Sequence, residues 1–491
     1  MKKNRSFSLR RTAALVLTVA LILSLSACTE EDTGIKLDPK APVTVTIWHY
    51  YNGAIMNAFD AQVKVFNETV GLERGIIVEG HGYGGVSDLE TAVEESAKQT
   101  VGSAPLPNIF ASYADTAYVI ETMGLLADLN QYLTKEDQSL YMPSYIEEGK
   151  IGSHNELRIF PIAKSTEILM LNDTDWTPFA TENGLTYEDL STGEDLARVA
   201  KLYYEWTDAK TPDVPNDGKA FYGRDSIANF FVVSSKEMSV ELFKVGAGKA
   251  TVQVDEKVMR KIWDYYYVPF ISGYFAANGR YRSDDAKVGD ILAYVGSTSS
   301  ASYFPKEVTV DDAESHPISC KVFPAPNFKD SKRVMVQQGA GMAVTKSTPE
   351  EEYASVEFLK WFTQDDINIT FSGLSGYLPV KKAAMAYDVM LPTLTENKIS
   401  MSDVTDATLK IVLEQIGKSE MYTSKAFAGG QDARAVLDKS LQDKAIKDRA
   451  AIVQLLQDGM SLEEAVAQYN TDAAFAGWLS AFRASLEAAT K

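Results

Sequence analysis

Four bulky side chains stand in a row at Trp48-His49-Tyr50-Tyr51, directly after an alternating apolar run, and Gly82-Tyr83 and Ser112-Tyr113 follow two later runs. Aromatic rings stack on the weakly polar faces of sugar rings, while neighbouring hydroxyls and amides pair with sugar hydroxyls. Four large residues at one strand-to-helix turn cannot all face inward, so Trp48 to Tyr51 are expected to line a site. Trp263, Tyr265, Tyr266 and Tyr267 fall at helical spacing and are expected in core packing instead. Other chemistries lack their parts. Gly80-His81-Gly82-Tyr83-Gly84-Gly85 satisfies G-x-G-x-x-G, but no acidic residue ends the next strand about 20 residues on. Its glycines are read as letting backbone approach a ligand. Asp208, Asp213, Asp217 and Gly218 hint at a calcium loop, yet Pro215 takes a ligand position. His49, His81, His154 and His316 form no pair at metal spacing. No G-x-S-x-G elbow occurs, and acidic residues are too abundant to single out a glycosidase pair. No metal, cofactor or catalytic group is therefore expected.

The first residues cannot belong to the fold. Lys2, Lys3, Arg5, Arg10 and Arg11 precede an uncharged, mostly apolar run from Thr12 to Ala27, and Cys28 follows. That order is an export signal, and the run is shorter than the ~20 residues a spanning helix needs. Leu25-Ser26-Ala27-Cys28 resembles the lipobox of bacterial lipoproteins. The resemblance implies that the Cys28 thiol receives a diacylglyceryl group, becomes the new N-terminus and ties the protein to a membrane outside the cytoplasm. The other cysteine, Cys320, then has no partner, so no disulfide framework is possible; it reads as a buried structural thiol. With 48 basic and 67 acidic residues the formal charge is −19, and the leader's cations make the remainder more negative still. Such a surface repels nucleic acid and anionic lipid, so neither is an expected partner.

The elements that must position the aromatics begin after a polar tether, Thr29 to Lys40. Val43, Val45 and Ile47 alternate with polar residues as a strand; Met56, Phe59, Val63 and Phe66 then mark one helix face. Strand and helix keep alternating for about a hundred residues, the pattern of a mostly parallel sheet flanked by helices. Ile159 to Leu171 contains a long strand-like stretch, Glu256 to Tyr267 a helix, and Ile291 to Val295 a buried strand. Thr348, Pro349 and Glu351 make a helix start, and the last ninety residues are helical.

Five segments together resemble the extracellular solute-binding proteins of ABC importers, the family of maltose- and glycerol-phosphate-binding proteins. They are Val45-Thr46-Ile47-Trp48-His49; Pro107-Asn108-Ile109 with Gly124-Leu125-Leu126-Ala127-Asp128-Leu129; Phe160 to Asn172; Gly339-Ala340-Gly341-Met342-Ala343-Val344 with Phe358-Leu359-Lys360-Trp361-Phe362; and Gly376-Tyr377-Leu378-Pro379-Val380. The resemblance implies an α/β, two-lobe, type II periplasmic-binding-protein-like fold, each lobe a mostly parallel sheet flanked by helices. Residues 1–27 are then a signal peptide, 28–42 a tether, 43–165 with 340–395 one lobe, and 166–339 with 396–491 the other. The ligand sits between the lobes, where open α/β sheets also bind ligands, at the carboxyl ends of strands. The expected contacts are Trp48, Tyr50, Tyr51, Tyr83 and Tyr113 from the first lobe, and Ser165, Thr166, Asn229, Tyr274, Gly296 and Ser297 from the second. Gln338 and Gly339 lie at the second crossing, and Tyr377 in the Gly-Tyr-Leu-Pro turn. The implied protein is a monomer without cofactor, anchored by lipid on Cys28, that captures a small solute, a sugar foremost, and hands it to membrane permease subunits. A surface glycan-active enzyme and a ligand-sensing receptor component of the same fold are the alternatives. An anionic ligand also stays open, served by Lys164, Arg224, Arg280 and Arg282.

Overall fold

The computed structural model describes residues 34–152, 156–246, 248–309 and 315–491; the N-terminal segment expected to be a signal peptide, Cys28, and His154 lie outside them. Alternation builds the first sheet. In Val43–His49, Val45 and Ile47 are fully buried while Thr44 stays exposed. Ile76–Gly82 and Ile109–Ser112 flank that strand in parallel. Gly341–Val344 and Ile159–Phe160 extend the sheet antiparallel on the far side. Helix Gly53–Glu68 buries Ile55, Phe59, Val63 and Phe66 against it. Phe66 in turn meets Phe358 and Trp361 of helix Pro349–Phe362, which starts with the expected capping box of Thr348 and Glu351.

A second sheet runs in the order Cys320–Pro324, Glu167–Asn172, Ala293–Ser297, Tyr222–Arg224. Only its last pairing is parallel. The two-lobe α/β architecture is as expected, but both sheets are more mixed than a mostly parallel one. The reason is local: strand–helix alternation forces parallel neighbours, and that alternation stops after the first hundred residues of the fold.

The two sheets are joined by adjacent chain passages. The run from Ile159 to Leu171 is two strands, one in each sheet, because Pro161 lacks an N–H to continue the ladder and the chain passes from one sheet to the other at Lys164 and Ser165. Ser165 and Gln338 exchange backbone hydrogen bonds of 2.8 and 3.0 Å, and Lys164 and Leu378 exchange bonds of 3.1 and 2.6 Å. Val334–Val336 pairs with Glu420–Tyr422 beside them. These passages form a narrow waist.

The first sheet has one core and the second has two, the smaller packing Ile168, Met170 and Tyr294 against Ile369, Met390, Leu394 and Leu409. The first sheet's core gathers residues between Val45 and Ala163 with a later stretch from Ala340 to Val380; a second gathers residues from Leu169 to Phe328 with the C-terminal helices. Trp263, Tyr266 and Tyr267 are buried in the second core and Tyr265 packs against it, as their spacing foretold. Their helix is not continuous: Glu256–Ile262 is α-helical and Trp263–Tyr267 widens into a π turn. Cys320 is half-buried, and desolvation pushes its thiol up to about 12, so it stays protonated. Among the described residues, no helix is long and apolar enough to cross a membrane.

Candidate functional site

The carboxyl ends of strands Val43–His49, Ile109–Ser112 and Ile159–Phe160, and the amino end of the antiparallel Gly341–Val344, lie toward the waist. There the Tyr50 ring lies nearly parallel to Tyr113 (6.5 Å between centroids, 14°), and its hydroxyl sits 3.4 Å from that of Tyr377. The same hydroxyl accepts from the Ala340 N–H at 3.3 Å. Gly339 beside it holds φ +88°, and a β-carbon there would lie 3.0 Å from the Ala163 carbonyl, so glycine is needed where the passages touch. Burial raises the pKa of all three phenols, which keeps them neutral hydroxyl donors.

A cavity of about 460 Å³ opens beside this group, between the two halves, lined among others by Tyr113, Asp115, Asn229, Gln338, Gln431 and Arg434. A second space of about 560 Å³ shares Glu148, Gln337, Thr423 and Ser424 with it, so the cleft continues past the waist. Both fall within the ~300–1,000 Å³ usual for small-molecule sites. Burial lifts the Asp115 carboxyl to about 6; Arg434 pulls it down, and Glu90 and Glu148 push it up. Burial also raises Glu90, which accepts from the Thr116 hydroxyl at 2.8 Å. The halves touch at several points. Gln431 donates to Thr116 (3.0 Å), Tyr118 to the Gly248 carbonyl (3.3 Å), and Tyr303 to the Asn52 side chain (3.1 Å).

The structure brings together Tyr50, Tyr113, Tyr377, Asn229, Gln338 and Gly339. Ser165 and Thr166 are buried in the waist itself. Ser297 ends its strand with its hydroxyl 3.0 Å from that of Ser299, next to the Gly376 turn; Gly296 lies buried one position earlier in the same strand, crowded by Asp225 and Ser300. Three of the four bulky residues, two of which the first strand itself contains, do turn inward. Trp48 packs on half-buried Tyr83 (5.1 Å), and His49 and Tyr51 stack on each other beside Phe59. Helix Asp365–Ser375, delivered from far along the chain, covers Tyr51 with Phe371, so only Tyr50 is left half-buried. Tyr274 packs edge-on against Tyr204 (5.3 Å), and none of its described contacts joins it to the cleft. Gly80 and Gly82 make room for Phe59 and His49, not for a ligand: β-carbons there would stand 3.3 Å from those rings. Among the described residues, no group of three or more His, Cys, Asp or Glu could hold a metal ion.

Asp115, Glu90, Gln431 and Arg434 were not singled out by the sequence. Arg434 and Gln431 sit in the first turns of helix Gly430–Gln457. Gly429-Gly430 ahead of that helix was the available signal. Gly429 holds φ +79°, and Gly430 has no side chain to keep the helix start off Asp115.

A family model described as bacterial extracellular solute-binding protein matches residues 61–402. No curated protein matches the chain. Among solved structures, the cyclic alpha-maltosyl-1,6-maltose binding protein from Arthrobacter globiformis is 19% identical, with 92% of this chain and 99% of that one covered and a TM-score of 0.64. UgpB from Mycobacterium tuberculosis, in complex with glycerophosphocholine, is 16% identical over 91% and 99% of the two chains, TM-score 0.62. The maltose/maltodextrin-binding domain MalE from Bdellovibrio bacteriovorus, bound to maltotriose, is 13% identical over 90% and 100%, TM-score 0.57. At these identities the likeness is one of fold.

Proposed function

The chain belongs to the bacterial extracellular solute-binding proteins, and from that premise we propose that it is the lipid-anchored, monomeric substrate-binding component of an ABC importer for a carbohydrate. The observation that carries the choice of a carbohydrate is where the cations go. Lys164 is paired with Glu148 at 2.8 Å, Arg224 with Glu167, and Arg282 with Asp285. Arg280, the fourth candidate, lies over the Tyr281 ring and beside Gly85; in the cleft wall, which Lys439 also lines, Arg434 faces Asp115 and Glu90, so an anion there would meet carboxylates. Carboxylates accept hydrogen bonds from sugar hydroxyls and repel phosphate. The Tyr113 ring and the amide of Gln431 complete a surface suited to a polyol.

The mechanism follows from a cleft whose walls come from both halves. A ligand that touches Tyr113 on one side and Arg434 on the other gains its full set of contacts only when the halves are together, and this differential affinity drives closure. Lipid on Cys28 and the polar segment after it would hold the loaded protein near its permease at high effective concentration.

Titration calorimetry and small-angle scattering with a panel of neutral oligosaccharides, and glycerol 3-phosphate as the anionic control, test this. Heat and compaction with a sugar are expected. Binding of the phosphate ester alone, or no response to any sugar, overturns the carbohydrate assignment. Cys28→Ser is expected to move the protein from the membrane to the soluble fraction.

A further inference from the structure

Asn229 is 4% exposed in the cleft wall, in the first turn of helix Ile227–Glu237. A carboxamide offers two N–H donors and one carbonyl acceptor. Both donors are engaged: Nδ2 donates to Glu167 Oε1 at 3.0 Å and to Gln338 Oε1 at 2.8 Å. The carbonyl Oδ1 accepts from the Arg434 guanidinium at 3.1 Å. Asn229 therefore keeps no free donor in this arrangement, and only the second lone pair of its carbonyl is open to a ligand.

Its partners belong to separate parts of the molecule. Glu167 opens the second-sheet strand just beyond the first passage and is ion-paired with Arg224. Gln338 lies in the second passage, where its backbone exchanges hydrogen bonds with Ser165. Arg434 stands on the long C-terminal helix and looks into the cavity. We propose that Asn229 is a positioning residue, which aims Arg434 at the ligand and ties that guanidinium to both passages at the waist. A shift of Arg434 on ligand engagement then strains a charge-assisted bond whose other end is the hinge. This deepens the reading of the cleft as the ligand site and rests on it.

The test is hydrogen exchange of the full-length, ligand-free protein at the backbone N–H groups of Ser165 and Gln338. Asn229→Ala and Gln338→Ala are each expected to raise exchange at both amides about tenfold, the scale of one lost buried hydrogen bond. The double variant adds nothing further, and amides inside the first sheet, such as Ile47, keep their protection. Unchanged exchange in Asn229→Ala, additive effects, or an equal rise across the whole chain overturns the proposal. If Asn229→Ala does not fold, the near-isosteric Asn229→Leu replaces it: it removes both donors and the acceptor without adding a charge beside Glu167, and gives the same rise or refutes the link. No ligand enters these measurements, so they stand whether or not a sugar is found to bind. If maltotriose or another sugar of the panel binds, Asn229→Ala weakens it about tenfold, and Asn229→Ala with Arg434→Ala is no weaker than Arg434→Ala alone.

Discussion

Ser165 and Gln338, distant in sequence, bond to each other's backbone in both directions at the waist. This reciprocal pair aligns two chain passages into a short, ordered connection between the sheets and not a loose linker. Gly339 follows directly, at φ +88° and against the Ala163 carbonyl. Gly339→Ala forces a side chain into a left-handed conformation and a close contact. The expected loss of stability is roughly 2–4 kcal/mol, read from urea unfolding.

Lys164 is 2% exposed; its ammonium pairs with Glu148 at 2.8 Å and donates to the Gly339 carbonyl at 2.6 Å. Removing one partner of a buried pair leaves an uncompensated charge. Lys164→Met is expected to lose about 3–5 kcal/mol. The double variant with Glu148→Gln loses less than the sum of the single ones, which a double-mutant cycle measures.

His49 is 1% exposed, and neither ring nitrogen has a hydrogen-bond partner among the described residues. Burial, helped by nearby His81, lowers its pKa from 6.5 to about 4. The folded state thus resists a proton that the unfolded state accepts. Its stability contribution is intact above pH 6.5 and is lost as pH falls toward 4, on the order of 3 kcal/mol in all. The difference between wild type and His49→Leu in denaturant melts is therefore expected to shrink by about that amount between pH 7 and pH 4.

Arg434 donates through a planar fork that an ammonium cannot copy. Arg434→Ala is expected to weaken sugar binding about tenfold or more, and Arg434→Lys to recover little of it; calorimetry decides both.

Asp115 accepts hydrogen bonds best when ionised, and its carboxyl titrates at about 6. Sugar affinity is expected to fall as pH drops through 6. Asp115→Asn, which has no proton to take up, is expected to flatten that profile. A profile unchanged by the substitution removes Asp115 from the site.

Local patterns determined a good deal. Period-two alternation gave the strand Val43–His49, spacings of three and four gave helix Gly53–Glu68, and a capping box gave the start of helix Pro349–Phe362. The aromatic cluster at Trp263–Tyr267 went to the core as its spacing required. These signals survive because each depends on neighbours within one or two turns of chain.

Which side chains face the cleft was decided only by tertiary structure. Trp48, His49 and Tyr51 have the residue types of a binding surface, yet Phe371, hundreds of positions away, covers Tyr51. Asn229 lines the cavity, but Glu167, Gln338 and Arg434 engage its carboxamide. Arg434 itself sits in an ordinary-looking helix whose position depends on Gly429 and Gly430 lying against remote chain. The physical reason is the same in each case. Local periodicity sets which residues share a face, but whether that face meets solvent, ligand or another element depends on contacts made from the far end of the sequence.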